Sequence, residues 1–174
     1  MNVCVFLGSS LPNDPSYLQL AREVGALLAK KGHRLVYGGA MRGTMNELSC
    51  AYYEAGGEKG IAVYPRFFES RLCPSQDELI SVDSLGERKE KMARVSGAFV
   101  VLPGGFGTLE EAADLLCWRA IGIAHGPMVF LNFRGFYDSL KAQIEKMSQL
   151  GYLHDGQGEG VYFIDSVEDL PSLL

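Results

Sequence analysis

The sequence predicts an α/β protein: a single domain built on a parallel sheet with helices packed on both faces. Three observations carry that expectation. Short apolar runs, rich in β-branched and aromatic residues, alternate with longer segments whose apolar residues recur at helical spacing. The short runs are apolar throughout rather than at every second position, the pattern of strands covered on both faces. Most of them end in glycine-rich turns, where the chain must bend sharply into the next helix. Such alternation gives a Rossmann-like, doubly wound sheet, whose ligands sit at the carboxyl ends of the strands near the reversal in strand order.

Each element follows in turn. Residues 2–7 form the first strand and run into Gly8-Ser9-Ser10. Asn13 or Asp14 caps the next helix, and Pro15 suits its first turn. Tyr17, Leu20, Ala21, Val24, Leu27 and Leu28 keep helical spacing as far as Lys30 and Lys31, and Gly32 stops the helix. Residues 34–37 are the second strand, closing on Gly38-Gly39, and 45–55 the second helix. The third strand, 60–64, is broken by Pro65. Residues 67–85 combine weak periodicity, a proline and mixed polarity, and read as a long loop. A charged helix over 87–96 leads into the fourth strand, 98–102, stopped by Pro103-Gly104-Gly105. Then come a helix over 108–121, a strand over 127–132, a helix over 136–149, a short strand over 161–164 and a short terminal helix over 166–174.

Composition narrows the function. At 174 residues the chain suits one domain, and 47% hydrophobic with 21% charged residues excludes intrinsic disorder. Sixteen basic against 21 acidic side chains leave a net charge of −5, which argues against a nucleic-acid binder held by bulk charge. The apolar runs fall far short of the roughly 20 residues a membrane span needs. The first residues lack a basic leader region, so the expectation is a cytoplasmic protein. Cys4, Cys50, Cys73 and Cys117 are scattered, with no CxxC spacing, and read as reduced thiols rather than metal ligands. No metal or cofactor is expected.

Three turns gather the candidate chemistry. The strongest is VVLPGGFGTLEE, residues 100–111, in which a buried strand runs through Gly104, Gly105, Phe106 and Gly107 into a helix starting at Thr108. Free N–H groups at that helix start would face the crevice, and the helix dipole favours an anion there. Thr108 either caps the helix or donates to phosphate. The GGxG spacing is neither the dinucleotide fingerprint nor a P-loop. Glu110 and Glu111 fall in the first helical turn, where one of them can point into the crevice as a carboxylate. The second cluster is GERKEKMAR, residues 86–94, with Arg88 and Lys89 at a helix N-terminus, a placement that opposes the dipole and suits an anionic ligand. Its i,i+4 pairs Glu87–Lys91 and Glu90–Arg94 form a solvated face. The third cluster is YGGAMRGTMNE, residues 37–47, again strand, glycines and helix. His33, His125 and His154 lie in separate turns without a nucleophile partner, and Trp118, Phe106 and Phe136 read as packing or subunit contacts.

The set of Gly8-Ser9-Ser10, VYGGAMRG at 36–43, ERKEKM at 87–92 and PGGFGTLEE at 103–111 resembles the LONELY GUY family of cytokinin riboside 5′-monophosphate phosphoribohydrolases. The segment LLCWRAIGIAHGPMVFLNFRGFYDSL is similar too, so the resemblance spans nearly the whole chain. It implies hydrolysis of the N-glycosidic bond of a purine nucleoside 5′-monophosphate, giving free base and ribose 5-phosphate. The family's catalytic arginine and glutamate fall on Arg88 and Glu111. Lys89, Glu110, the loop Gly104-Gly105-Phe106-Gly107-Thr108, Gly8, Ser9, Gly38 and Gly39 become the substrate-binding positions. A homodimer or higher homo-oligomer, with the site near the subunit interface, is implied as well.

Four positions depart from the family pattern. Gly86 stands where a histidine is frequent, Ala40 and Arg42 where the second loop is usually richer in glycine and uncharged, and Cys117 where threonine is frequent. The base, prenylated or plain adenine, is left open. A reading from another class is a protein that holds a nucleotide or phosphorylated cofactor without cleaving it. Molybdenum-cofactor carriers resemble this fold and its glycine-rich loops.

Overall fold

Every strand runs parallel to its neighbours, in the order β4-β3-β2-β1-β5-β6-β7. The computed structural model describes residues 1–67 and 77–174. The strands are β1 (Asn2–Phe6), β2 (Arg34–Tyr37), β3 (Ile61–Pro65), β4 (Glu78–Val82), β5 (Ala98–Val101), β6 (Met128–Leu131) and β7 (Val161–Ile164). The helices are α1 (Ser16–Lys30), α2 (Gly43–Glu54), α3 (Leu85–Val95), α4 (Phe106–Ala120) and α5 (Asp138–Gln149).

Strand parity divides the core into two layers. Val3, Val5, Leu35, Tyr37 and Val100 face α1 and α2 through Leu20, Val24, Leu28, Leu48 and Tyr52. Cys4, Phe6, Val36, Phe99 and Val101 face the other way, onto Met92 of α3 and Ala112 and Leu115 of α4. Both faces of β1 and β5 are therefore covered, which is why their sequences show no alternation. The chain winds outward from β1 through β2, β3 and β4, then returns to the other side of β1 with β5. The reversal puts the crevice between the carboxyl ends of β1 and β5.

The sequence expectation needs correction at several boundaries. Glu78–Val82 is a strand paired with β3 over five residues, not part of a loop. It is an edge strand, and the exposure of Glu78, Leu79 and Ser81 explains the mixed polarity that hid it. The rest of that expected loop over 68–76, Cys73 included, lies outside the described residues. Helix α4 starts at Phe106 with Gly105 as its N-cap, so Thr108 is not the cap and Glu110 and Glu111 lie beyond the first turn. Helix α3 begins at Leu85, because the Ser84 side chain accepts from the Glu87 backbone N–H and the Glu87 carboxylate accepts from that of Asp83. The terminal helix is a 3-10 helix over Val167–Ser172, with Pro171 inside it.

Candidate active site

The turns after β1, β2 and β5 converge on a crevice of about 940 Å³. Gly8 and Ser9 line it from the first turn, Gly38 from the second, and Gly105, Phe106, Gly107 and Thr108 from the start of α4. Arg88 of α3 and Glu111 of α4 stand in the same wall. Gly39, Gly104, Lys89 and Glu110 are not among the lining residues.

The centre of the site is the ion pair between Arg88 and Glu111, whose Nη1 and Oε1 are hydrogen-bonded. Its two halves come from helices on either side of β5 in sequence, α3 before it and α4 after it. Arg88 is oriented twice more. Its Nε donates to the Val63 carbonyl at 3.0 Å. Its Nη2 lies against Gly38, where any Cβ would overlap the guanidinium. A side chain at 38 would push the guanidinium out of this position, so glycine there leaves room for the arginine to hold Glu111. Glu111 is buried, and burial raises its pKa above the ordinary glutamate value while the charge and hydrogen bond of Arg88 oppose that shift. A carboxylate so held is poised to accept a proton or to face a developing positive charge.

Behind this pair lies a second one. Lys89 Nζ donates to Glu110 and to Asp114, one turn apart on α4. Burial pulls the Lys89 pKa down, yet the two carboxylates outweigh it and hold the ammonium above its ordinary value. The two cations of the Arg-Lys pair therefore face different ways, one into the crevice wall and one into a clasp between helices. Among the described residues no group of histidine, cysteine and carboxylate side chains is placed to hold a metal ion.

A family model described as possible lysine decarboxylase matches residues 43–174. The cytokinin riboside 5′-monophosphate phosphoribohydrolase LOG1 of Arabidopsis thaliana is 39% identical over 153 residues, which is 87% of this chain and 71% of that protein. The probable cytokinin riboside 5′-monophosphate phosphoribohydrolase LOGL9 of Oryza sativa subsp. japonica is 38% identical over 174 residues, 99% of this chain and 75% of that one. The chain belongs to the LONELY GUY family.

Solved structures similar to this member of the LONELY GUY family include two that bind or carry molybdenum cofactor. One is a molybdenum cofactor binding protein from Rippkaea orientalis, with a TM-score of 0.74 and 23% identity, covering 99% of this chain and 93% of that one. The other is the molybdenum cofactor carrier protein of Chlamydomonas reinhardtii, with a TM-score of 0.73 and 24% identity over 98% and 93% of the two chains. At that identity the likeness establishes the fold.

The crevice is also lined by apolar side chains to which the motifs gave no individual role. Met41, Met45, Pro65 and Leu85 line it, and Met41 and Leu85 are exposed despite their size. Exposed apolar side chains beside polar turns make a wall suited to a flat base. Nothing in their spacing reveals this, because they come from four separate elements and turns. Phe106 is 92% exposed, so it is no core residue.

Proposed function

We propose that this LONELY GUY family member hydrolyses the N-glycosidic bond of a purine nucleoside 5′-monophosphate, with Glu111 and Arg88 as its catalytic residues. The observation that carries the reading is the Arg88–Glu111 pair in the wall of a crevice that opens beside an uncapped helix start. The curated relatives are named for this reaction on cytokinin riboside 5′-monophosphates, and a purine base of that kind fits the apolar wall of Met41, Met45, Pro65 and Leu85.

In the reaction the bond between C1′ and the base nitrogen breaks and its electron pair leaves with the base. Positive charge develops on the ribose, and the Glu111 carboxylate stabilises it. Water adds to C1′ as Glu111 takes its proton, the departing base takes a proton from solvent, and Glu111 returns its own to solvent to close the cycle. Arg88 keeps Glu111 ionised and fixed. Phosphate sits at the N-terminus of α4, where Gly105 offers no side-chain cap and Gly105, Phe106, Gly107 and Thr108 line the crevice. Lys89 and Glu110 serve the site from behind, through the clasp. Lysine chemistry has no foothold here, because no lysine is among the described lining residues. We extend the reading to a homodimer, supported by the apolar outer face of α4.

The test is chromatographic detection of free base from AMP and from isopentenyladenosine monophosphate. Release from at least one, reduced about a thousandfold or more in Glu111→Gln with an unchanged circular dichroism spectrum, is the expected result. No release from either, with a ligand retained through purification, would replace hydrolysis by the carrier reading.

A further inference from the structure

We propose that Arg42 is a specificity-determining residue of this crevice: its guanidinium takes the 5′-phosphate and sets the preference for phosphorylated over unphosphorylated ligands. The proposal rests on the phosphoribohydrolase reading of the same site.

The charge balance points to it. Among the described residues, the charged side chains lining the crevice are Arg42, Arg88 and Glu111. Arg88 and Glu111 neutralise each other, and the Nε of Arg88 is already donated to Val63. Lys89 is tied to Glu110 and Asp114 and does not line the crevice. A phosphate monoester brings about 1.5 to 2 negative charges into this space. Of the described lining residues Arg42 is the cation left to meet them, for it is exposed and enters none of the ion pairs among the described residues.

Local stability does not explain an arginine at this position. Arg42 is the N-cap of α2, where serine, threonine, aspartate or asparagine would satisfy a backbone N–H, and its side chain makes no cap hydrogen bond. A positive charge at a helix start also opposes the dipole. A residue that breaks both local rules beside a crevice is best explained by what enters the crevice. Its backbone is fixed there: Gly43 has φ +58°, and a Cβ on it would overlap the Ser10 carbonyl, so the two turns are packed against each other. An arginine so anchored offers a planar fork of donors to phosphate oxygens, adding full charge to the partial charge of the α4 N-terminus.

The experiment pairs calorimetric binding of ribose 5-phosphate and of ribose with steady-state kinetics on AMP and isopentenyladenosine monophosphate, for wild type, Arg42→Gln and Arg42→Lys. Arg42→Gln is expected to weaken ribose 5-phosphate about ten-fold and to raise KM by a similar factor, with the smaller effect on kcat. Arg42→Lys recovers part of the loss. Equal affinity for ribose 5-phosphate in wild type and Arg42→Gln overturns the proposal. If wild type releases no base from either nucleotide, the hydrolase reading fails, and the ribose 5-phosphate affinities still decide the role of Arg42.

Discussion

Glu111 sits under two opposed influences, burial and Arg88, and their balance sets how the protein answers to pH. Burial is the larger, so the carboxyl titrates above the ordinary glutamate value. If Glu111 is the base, the acid limb of kcat/KM lies above that value as well, because activity is lost when the carboxylate is protonated. Arg88→Met removes the charge that pulls the pKa down, and the limb moves to still higher pH as the rate falls. A pH profile of both proteins checks this; a limb at the ordinary value in wild type would remove Glu111 from the role of base. The same shift has a sign for stability. A carboxyl raised in the folded state contributes stability that is complete below the unfolded pKa and lost as pH rises through the folded one. The site thus holds an ionised group that the fold alone would not favour, a local cost consistent with function. Cys4 lies within reach of the same field. Burial and then Glu111 push its thiol well up, so it stays protonated and unreactive.

Helices α3 and α4 meet the site as a pair, and Lys89 joins them. Its ammonium bridges Glu110 and Asp114, which flank Glu111 on α4, while its sequence neighbour Arg88 holds Glu111 itself. Lys89→Met leaves two carboxylates facing each other without a cation. Both acids are partly exposed, so the expected cost is about 1–2 kcal/mol, a fall in Tm of about 3–6 °C. The expected effect on catalysis is a fall in kcat of about ten-fold with KM little changed, since the displaced group is Glu111 rather than the binding loops. Lys89→Arg restores most of both. A variant that loses stability but keeps kcat would show a clasp with no bearing on Glu111. Element-scale features such as this one were only half legible in the sequence. The glycine turns and continuous apolar strands announced the sheet and the crevice, whereas the roles expected of Arg88 and Glu111 came from the family resemblance. Edge strand β4 was hidden because one face and an edge of it meet solvent, and polarity there mimics a loop. That Lys89 turns away from the crevice could not be read, because two adjacent helical residues point about 100° apart and only packing decides which faces the ligand.

At the scale of the whole molecule, α4 presents a further problem that a second copy of the chain would solve. Its inner face buries Thr108, Glu111, Ala112 and Leu115. Its outer face carries Phe106, Leu109, Ala113, Cys117 and Ile121, spaced at three and four residues and all exposed. An exposed apolar stripe on a helix whose other side is already buried is a surface suited to an assembly. Ile123, Met147 and Leu150 add exposed apolar surface in the segments that follow. Sedimentation of the protein is therefore expected to give a species of twice the chain mass. In a two-fold dimer each substitution acts twice, so Leu109→Arg removes two buried leucines and sets two arginines in the interface. At roughly 2 kcal/mol per leucine the loss is about 4 kcal/mol, nearly a thousandfold in Kd. Leu109→Arg should then sediment as a monomer at micromolar concentration. Persistence of the dimer in both Leu109→Arg and Ile121→Arg would place the interface elsewhere. Because Phe106 begins this stripe and also lines the crevice, the mouth of the site opens beside the same surface. Dissociation would expose the first turn of α4 to water at the point proposed for phosphate, so the monomeric variant should also show a raised KM.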